Sequence, residues 1–254
     1  PYVLLRLFRL FLPVVLAVMA IFLVALPIRG IDGLTGGLSP AMLLLVMVGA
    51  GITLTSIVVD QSDTEAVRNP VLIRSAQAMS VILPVFAGLA LWAIWLRVGQ
   101  HGWTPGRVFF ALVGGLGLGY GLIYAQAVLR GPGWMERIRQ GNLVMVLVAI
   151  GLAALWLTPA LNAERISADN QLARFLDGRL TADALDPYAI GSWGKPGALI
   201  LDKLAALAKE PGQEALARRL AGETTELMPD RAALVADLAA VLALQPATAT
   251  GTRD

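Results

Sequence analysis

The sequence predicts an all-α protein: a polytopic bundle of five transmembrane helices followed by a small α-helical extramembrane tail. Two observations carry this reading. Hydrophobic residues make up 57% of the 254 positions and charged residues only 15%, far below the roughly 25% of an ordinary globular domain. The mean hydropathy is +0.69. In addition, five runs, Leu10–Ile28, Pro40–Val59, Ala78–Leu96, Val108–Leu129 and Leu143–Leu161, contain no Asp, Glu, Lys, Arg or His, and each is 19 to 22 residues long.

At about 1.5 Å per residue, a helix of some 20 residues crosses the roughly 30 Å hydrocarbon layer. Backbone amides left unpaired in lipid are costly, so helix is the state such runs adopt. Buried helices of a soluble protein would need a polar face on some of them, and none of the five has one. Charge separates the two parts further. Residues 1–158 hold ten Lys/Arg and five Asp/Glu, whereas residues 159–254 hold ten and thirteen. The isoelectric point near 9.3 thus averages two unlike halves, and no nucleic-acid partner follows from it. Arginines at membrane borders account for the basic half, with the lipid bilayer as the partner. The chain has no cysteine, which excludes disulfides, thiolate catalysis and cysteine-ligated metals.

The elements follow in order. Pro1 in place of Met suggests a fragment or processed product. The run within Arg6–Leu26 is too long for a signal-peptide core of about 7–15 residues and lacks a small-residue cleavage site, so it is read as the first membrane helix. Gly30, Gly33, Gly36 and Gly37 suit a tight connection to the second run. Residues 60–77 form a longer polar connection. Pro84 removes a backbone donor from the third helix and predicts a bend there. Thr104 and Pro105 form an N-cap and first helical residue, placing the start of the fourth helix. Residues 130–142 are read as the last connection, and Trp103, Trp134 and Trp156 as interfacial indoles.

Beyond Pro159 the pattern turns amphipathic. Helices are expected over Ser167–Leu176 with Ser167 as cap, over Pro196–Lys209, over Gln213–Leu220, and over Asp230–Leu244, where Leu234, Leu238, Val241 and Leu242 share one face. The expected domains are therefore residues 1–161 in the membrane and 162–245 as a soluble helical tail, with 246–254 a disordered end.

Candidate sites are few. The glycines from Gly114 to Gly121 lie inside an apolar run rather than between a strand and a helix, which rules against a dinucleotide loop. Gly115/Gly119 and Gly117/Gly121/Ala125 are small residues four apart, the spacing that lets membrane helices approach closely. On this reading Leu118 faces lipid. Gly49, Thr53, Ser56 and Asp60 fall within roughly 40° of one line on the second helix, and Tyr120 and Tyr124 share a face of the fourth. Both groups fit either a polar path or helix packing. His101 is the only histidine, so no histidine metal site can be assembled, no G-x-S-x-G nucleophile elbow is present, and no cofactor is implied.

Two stretches resemble a known family. Val98 to Arg107, with Trp103, Thr104, Pro105 and Arg107, resembles the Tyr-Gly-Trp/Leu-Thr-Pro-x-Arg stretch of a bacterial membrane family catalogued as domain of unknown function 4153. Asn162 to Arg174 is similar to that family's Arg-Ile-Ser-x-x-x-Gln-x-Ala-Arg motif, carried here by Arg165, Ile166, Ser167, Gln171, Ala173 and Arg174. Gly191–Leu207 is similar to its Gly/Tyr-Gly-x-x-x-Leu-x-x-Leu region, with Trp193 replacing the usual aromatic neighbour, and His101 departs from the aromatic residue expected at its position. The resemblance spans roughly residues 80 to 210. It implies a longer protein with further upstream helices, in a bacterial inner (plasma) membrane, and it implies no reaction. Physically, the motifs are a helix start and a helix-to-tail junction.

The function expected is therefore that of a non-enzymatic envelope component, a sensor or assembly partner with other membrane or envelope proteins as its partners. The alternatives are a small-solute permease and a membrane enzyme whose site lies in an upstream segment. Counted near the helix ends, Arg6, Arg9, Arg68, Arg74, Arg130, Arg137 and Arg139 are expected on one side of the membrane, and Arg29, Arg97, Arg107, Arg165 and Arg174 on the other, which Arg179 joins as a sixth if it is included. That excess predicts the N-terminus inside and the tail extracytoplasmic. The cysteine-free chain offers a direct probe. With Thr248→Cys, a membrane-impermeant maleimide should label intact cells strongly, and protection until lysis would reverse the topology.

Overall fold

The computed structural model describes residues 2–35, 39–59 and 69–227. The positions Asp60, Asp230–Leu244 and 246–254, singled out above, lie outside these residues. Nine α-helices and one 3-10 turn are found among the described residues, with no strand, so the protein is all-α. They are α1 (Tyr2–Thr35), α2 (Pro40–Val59), α3 (Pro70–His101), α4 (Pro105–Leu129), α5 (Trp134–Trp156), α6 (Ala163–Leu176), α7 (Pro187–Gly191), α8 (Gly194–Leu207) and α9 (Glu214–Leu227). The first five, with spans Leu7–Gly30, Pro40–Val59, Pro70–His101, Pro105–Leu129 and Trp134–Trp156, are long and apolar enough to cross a membrane.

Their ends differ from the uncharged runs for local reasons. The helical path of α1 is broken at Gly30, whose φ of 69° most side chains avoid. Helix α3 begins at Pro70, because the Asn69 side chain accepts the Val71 amide at 2.9 Å. Helix α5 begins at Trp134, nine positions before the run expected at Leu143. The α4–α5 turn needs only Arg130 to Gly133, with Gly131 and Gly133 both at positive φ (76° and 78°). At the start of α4, Thr104 is in extended backbone and accepts the Arg107 amide.

Contacts divide the chain into two compact units, Pro1–Ser167 and Ala168–Asp254. In the first, α2, α3 and α4 touch one another pairwise, α1 packs on α2 and α3, and α5 packs on α4 and α2. The main core holds Leu44, Val48, Val58, Met79, Leu83, Phe86 and Tyr124. Near one end, Ala41, Ala93, Ile94 and Val98 form a second cluster with Trp103 against it. Trp134 is buried in the main core rather than interfacial: once α5 starts there, its indole sits on the first turn facing the bundle.

Lipid tails are as apolar as leucine, so membrane helices gain by close packing rather than by hiding from solvent. Glycines supply the closeness. A Cβ on Gly121 would lie 2.7 Å from the Pro84 nitrogen and 3.0 Å from its Cα. Proline carries no amide hydrogen, so the α3 backbone can be approached at that atom without losing a helical bond. A Cβ on Gly117 would meet Val48 at 3.0 Å, and one on Gly51 would meet Leu83 at 2.7 Å. Gly115, by contrast, has nothing within 4 Å. Leu118 does not simply face lipid: it is half-buried against the main core, since it lies one position from Gly117 on the packed side of α4.

The second unit has its own core of Ala168, Leu185, Ile190, Ile200, Leu204 and Leu216. Helix α6 starts four residues before Ser167. Asn162 is the cap, its Oδ1 accepting the Arg165 amide at 2.7 Å, while Ser167 is inside the helix and donates to the Ala163 carbonyl at 2.7 Å. Asn and Ser cap about equally well, and the earlier cap yields the longer helix. Helix α7, unexpected from the sequence, is started by Asp186, which accepts the Ala189 amide at 2.9 Å. Helix α8 crosses α7 at Gly197, where any Cβ would run into the Ile190 carbonyl.

Candidate functional site

A polar constellation inside the five-helix unit joins α2, α4 and α5. Tyr124 donates its single hydroxyl proton to Asn142 Oδ1 at 2.6 Å. The 2.8 Å contact between Ser56 Oγ and the Tyr124 hydroxyl is then donated by Ser56, because the tyrosine proton is already committed. A longer 3.5 Å bond from Asn142 Nδ2 to Ser56 Oγ closes the ring. Each hydroxyl thus donates once and accepts once, an arrangement whose bonds reinforce one another in low dielectric.

Helical register explains the meeting. Ser56 lies less than a turn from the end of α2, Tyr124 just over a turn from the end of α4, and Asn142 two turns into α5, so all three fall in the same outer part of the bundle. Tyr124 is fully buried, and Tyr120 meets it edge-on with ring centroids 6.0 Å apart. Beside Ser56, the fully buried Thr55 has no hydrogen-bond partner for its Oγ1 among the described residues.

The stripe on α2 therefore divides. Gly49 and Thr53 are exposed, and the Thr53 hydroxyl donates to the Gly49 carbonyl at 2.8 Å, a bond within its own helix. Of its described members, only Ser56 turns inward. Asn142 was missed in the sequence because it stood at the edge of an apolar run and counted as connection. The helical spacing Ile138, Asn142, Met145 leading into that run is the signal that could have found it.

Arginines occupy the helix ends on the same side. Arg9 Nε donates to the Ile57 carbonyl at 3.1 Å and Arg139 to the Val59 carbonyl at 3.4 Å, serving the last turn of α2. Arg137 donates to the Ala127 carbonyl at 3.0 and 3.2 Å and to Gly131 at 2.7 Å, closing the α4–α5 turn. The last carbonyls of a helix lack intrahelical partners and carry the negative end of its dipole, so a guanidinium there meets both needs. At the opposite end Arg107 donates to the Gly102 carbonyl at 2.7 Å.

The other motif residues lie on α6. Ser167, Gln171 and Arg174 are buried at a spacing of four and then three, one helical face, while Arg165 and Ile166 are exposed. The structure thus brings Ser56 and Tyr124 together, keeps the α6 residues as a separate row, and sets Gly117 and Gly121 in helix contacts. Among the described residues no three acidic or histidine side chains are grouped to hold a metal ion.

Five apolar helices of membrane length, with Ser56, Tyr124 and Asn142 bonded to one another between them, define a multi-pass helical membrane protein. A family model described as a domain of unknown function (DUF4153) matches residues 2–204, a span that covers all five membrane helices, and the chain belongs to that family. No curated protein and no solved structure matches it.

The ring predicts a measurable coupling. Tyr124→Phe and Ser56→Ala should each destabilise the protein in detergent, and a double-mutant cycle between them should give about 0.6 kcal/mol, the average for hydrogen bonds between membrane helices, and no more than about 1.7. Tyr120→Phe, which meets the ring only by its edge, should cost close to nothing. Strictly additive Ser56 and Tyr124 effects would mean that the ring does not form.

Proposed function

We propose that this chain is a non-enzymatic membrane component of a bacterial envelope, a sensor or assembly partner that acts through an extramembrane helical tail. The observation that carries the reading is the second compact unit, with its own core, following closely on the last membrane helix. Such a unit folds by burying its own apolar face and leaves side chains such as Tyr188 and Leu199 exposed, at 61% and 62%. The membrane part supports the reading because the Ser56 and Tyr124 hydroxyls are engaged with Asn142 and with each other, an arrangement suited to holding helices together. The arginine excess on the N-terminal side of the membrane supports a tail outside the cytoplasm.

The test uses the full chain in its native membrane. A photo-reactive phenylalanine analogue at Tyr188 or Leu199 should give one discrete protein adduct on irradiation of cells. The same adduct should be absent when the analogue replaces the core residue Leu204. A monomeric protein without adducts, coupled with saturable solute uptake by proteoliposomes that Tyr124→Phe alters, would make the chain a small-solute permease instead.

A further inference from the structure

Helices α4 and α5 do not pack evenly along their length. At one end they are tight. A Cβ on Gly119 would lie 2.9 Å from the Met145 methyl, and one on Gly141 would run into Ile123. Towards the other end they part and leave a cleft of about 350 Å³, lined by Phe109, Leu112 and Leu116 on α4 and by Leu152, Ala153 and Trp156 on α5. Phe109 and Trp156 meet edge-on across its mouth, with centroids 5.9 Å apart. The lining is apolar throughout, and both walls belong to helices long and apolar enough to cross the membrane.

We propose that this cleft holds one acyl chain of a membrane phospholipid as a resident ligand. An apolar cavity of this size takes up apolar molecules rather than water, and within a bilayer the neighbouring hydrocarbon is a lipid tail. The wedge narrows towards Gly119, which suits a chain end rather than the girth of another helix, about 10 Å with its side chains. The mouth lies where α4 begins and α5 ends, so it opens at the membrane border. There the first turn of α4, with exposed Gly106, offers the positive end of a helix dipole to a phosphate. The negative end of α5 beside it is already engaged: the Thr158 amide and hydroxyl both bond the Leu155 carbonyl, at 3.0 and 2.6 Å, and the Leu157 amide bonds Ala154.

Native mass spectrometry of the full chain, released from detergent and titrated with a phospholipid, tests this. Wild type should keep one phospholipid through delipidation. Leu116→Trp, which fills the wedge, should bind it about tenfold more weakly. Leu122→Trp, exposed on α4 outside the cleft (Leu122 is 56% exposed), should bind as wild type does. A diacylglycerol of the same chains should compete poorly, because it lacks the phosphate. The proposal is overturned by a wild-type protein with no retained lipid, by equal binding to the two tryptophan variants, by equal binding of diacylglycerol, or by a dimer that Leu116→Trp dissociates. The first of these needs no variant, so misfolding of Leu116→Trp cannot shelter the idea.

Discussion

The contact of the α4 glycines with α2 and α3 is the constraint on which the rest of the membrane unit depends. Between helices in lipid there is no water to expel, so attraction comes from dispersion and a few hydrogen bonds, both of which fall off within an ångström or two. Gly121 against the Pro84 nitrogen brings α4 to backbone distance of α3, and Gly117 takes the Val48 side chain of α2 directly against the α4 backbone. Proline and glycine act as a pair here: one removes a hydrogen from the α3 backbone, the other removes a side chain from α4. With that distance set, the Tyr124 hydroxyl reaches Ser56 on α2 and Asn142 on α5. A wider bundle would leave all three buried and unbonded, at a cost of about 1–3 kcal/mol each.

The helix ends obey a different demand. Where the bundle leaves the hydrocarbon, the last carbonyls of α2 and α4 need donors, and Arg9, Arg139 and Arg137 provide them. These arginines are also among those from which the sequence predicts an orientation, so one set of residues serves the capping and enters that count. Arg137, with bonds to both Ala127 and Gly131, fastens the four-residue turn that makes α5 antiparallel to α4. At the wide end of the same helix pair, where the cleft opens, Phe109 and Trp156 meet edge-on.

The five membrane helices were legible because uncharged length is a direct physical requirement of spanning hydrocarbon. Their ends were less so, because hydropathy marks the lipid layer and not the helix. Arg74 and Gln77 lie inside α3, and Glu136, Arg137 and Arg139 inside α5, so both helices begin well before their apolar runs. That offset hid Asn142, and with it the meaning of Ser56 and Tyr124. In the second unit, amphipathic spacing marked α8 and the start of α9. Ser167 misled because capping residues are common and the true cap, Asn162, stood one turn earlier. Helix α7 is five residues long and leaves too short a pattern to read.

Close packing of α4 on α3 can be tested in the membrane itself. The chain has no cysteine, and a Cβ on Gly117 would stand 4.0 Å from the Ala87 Cβ, inside the roughly 3.5–4.5 Å range that a disulfide spans. With Ala87→Cys and Gly117→Cys together, mild oxidation of native membranes should protect both thiols from a polymer-linked maleimide added after denaturation, and reduction should restore both. Two thiols that stay open to the maleimide after oxidation, in a protein that remains folded, would contradict the packing from which the rest of this structure follows.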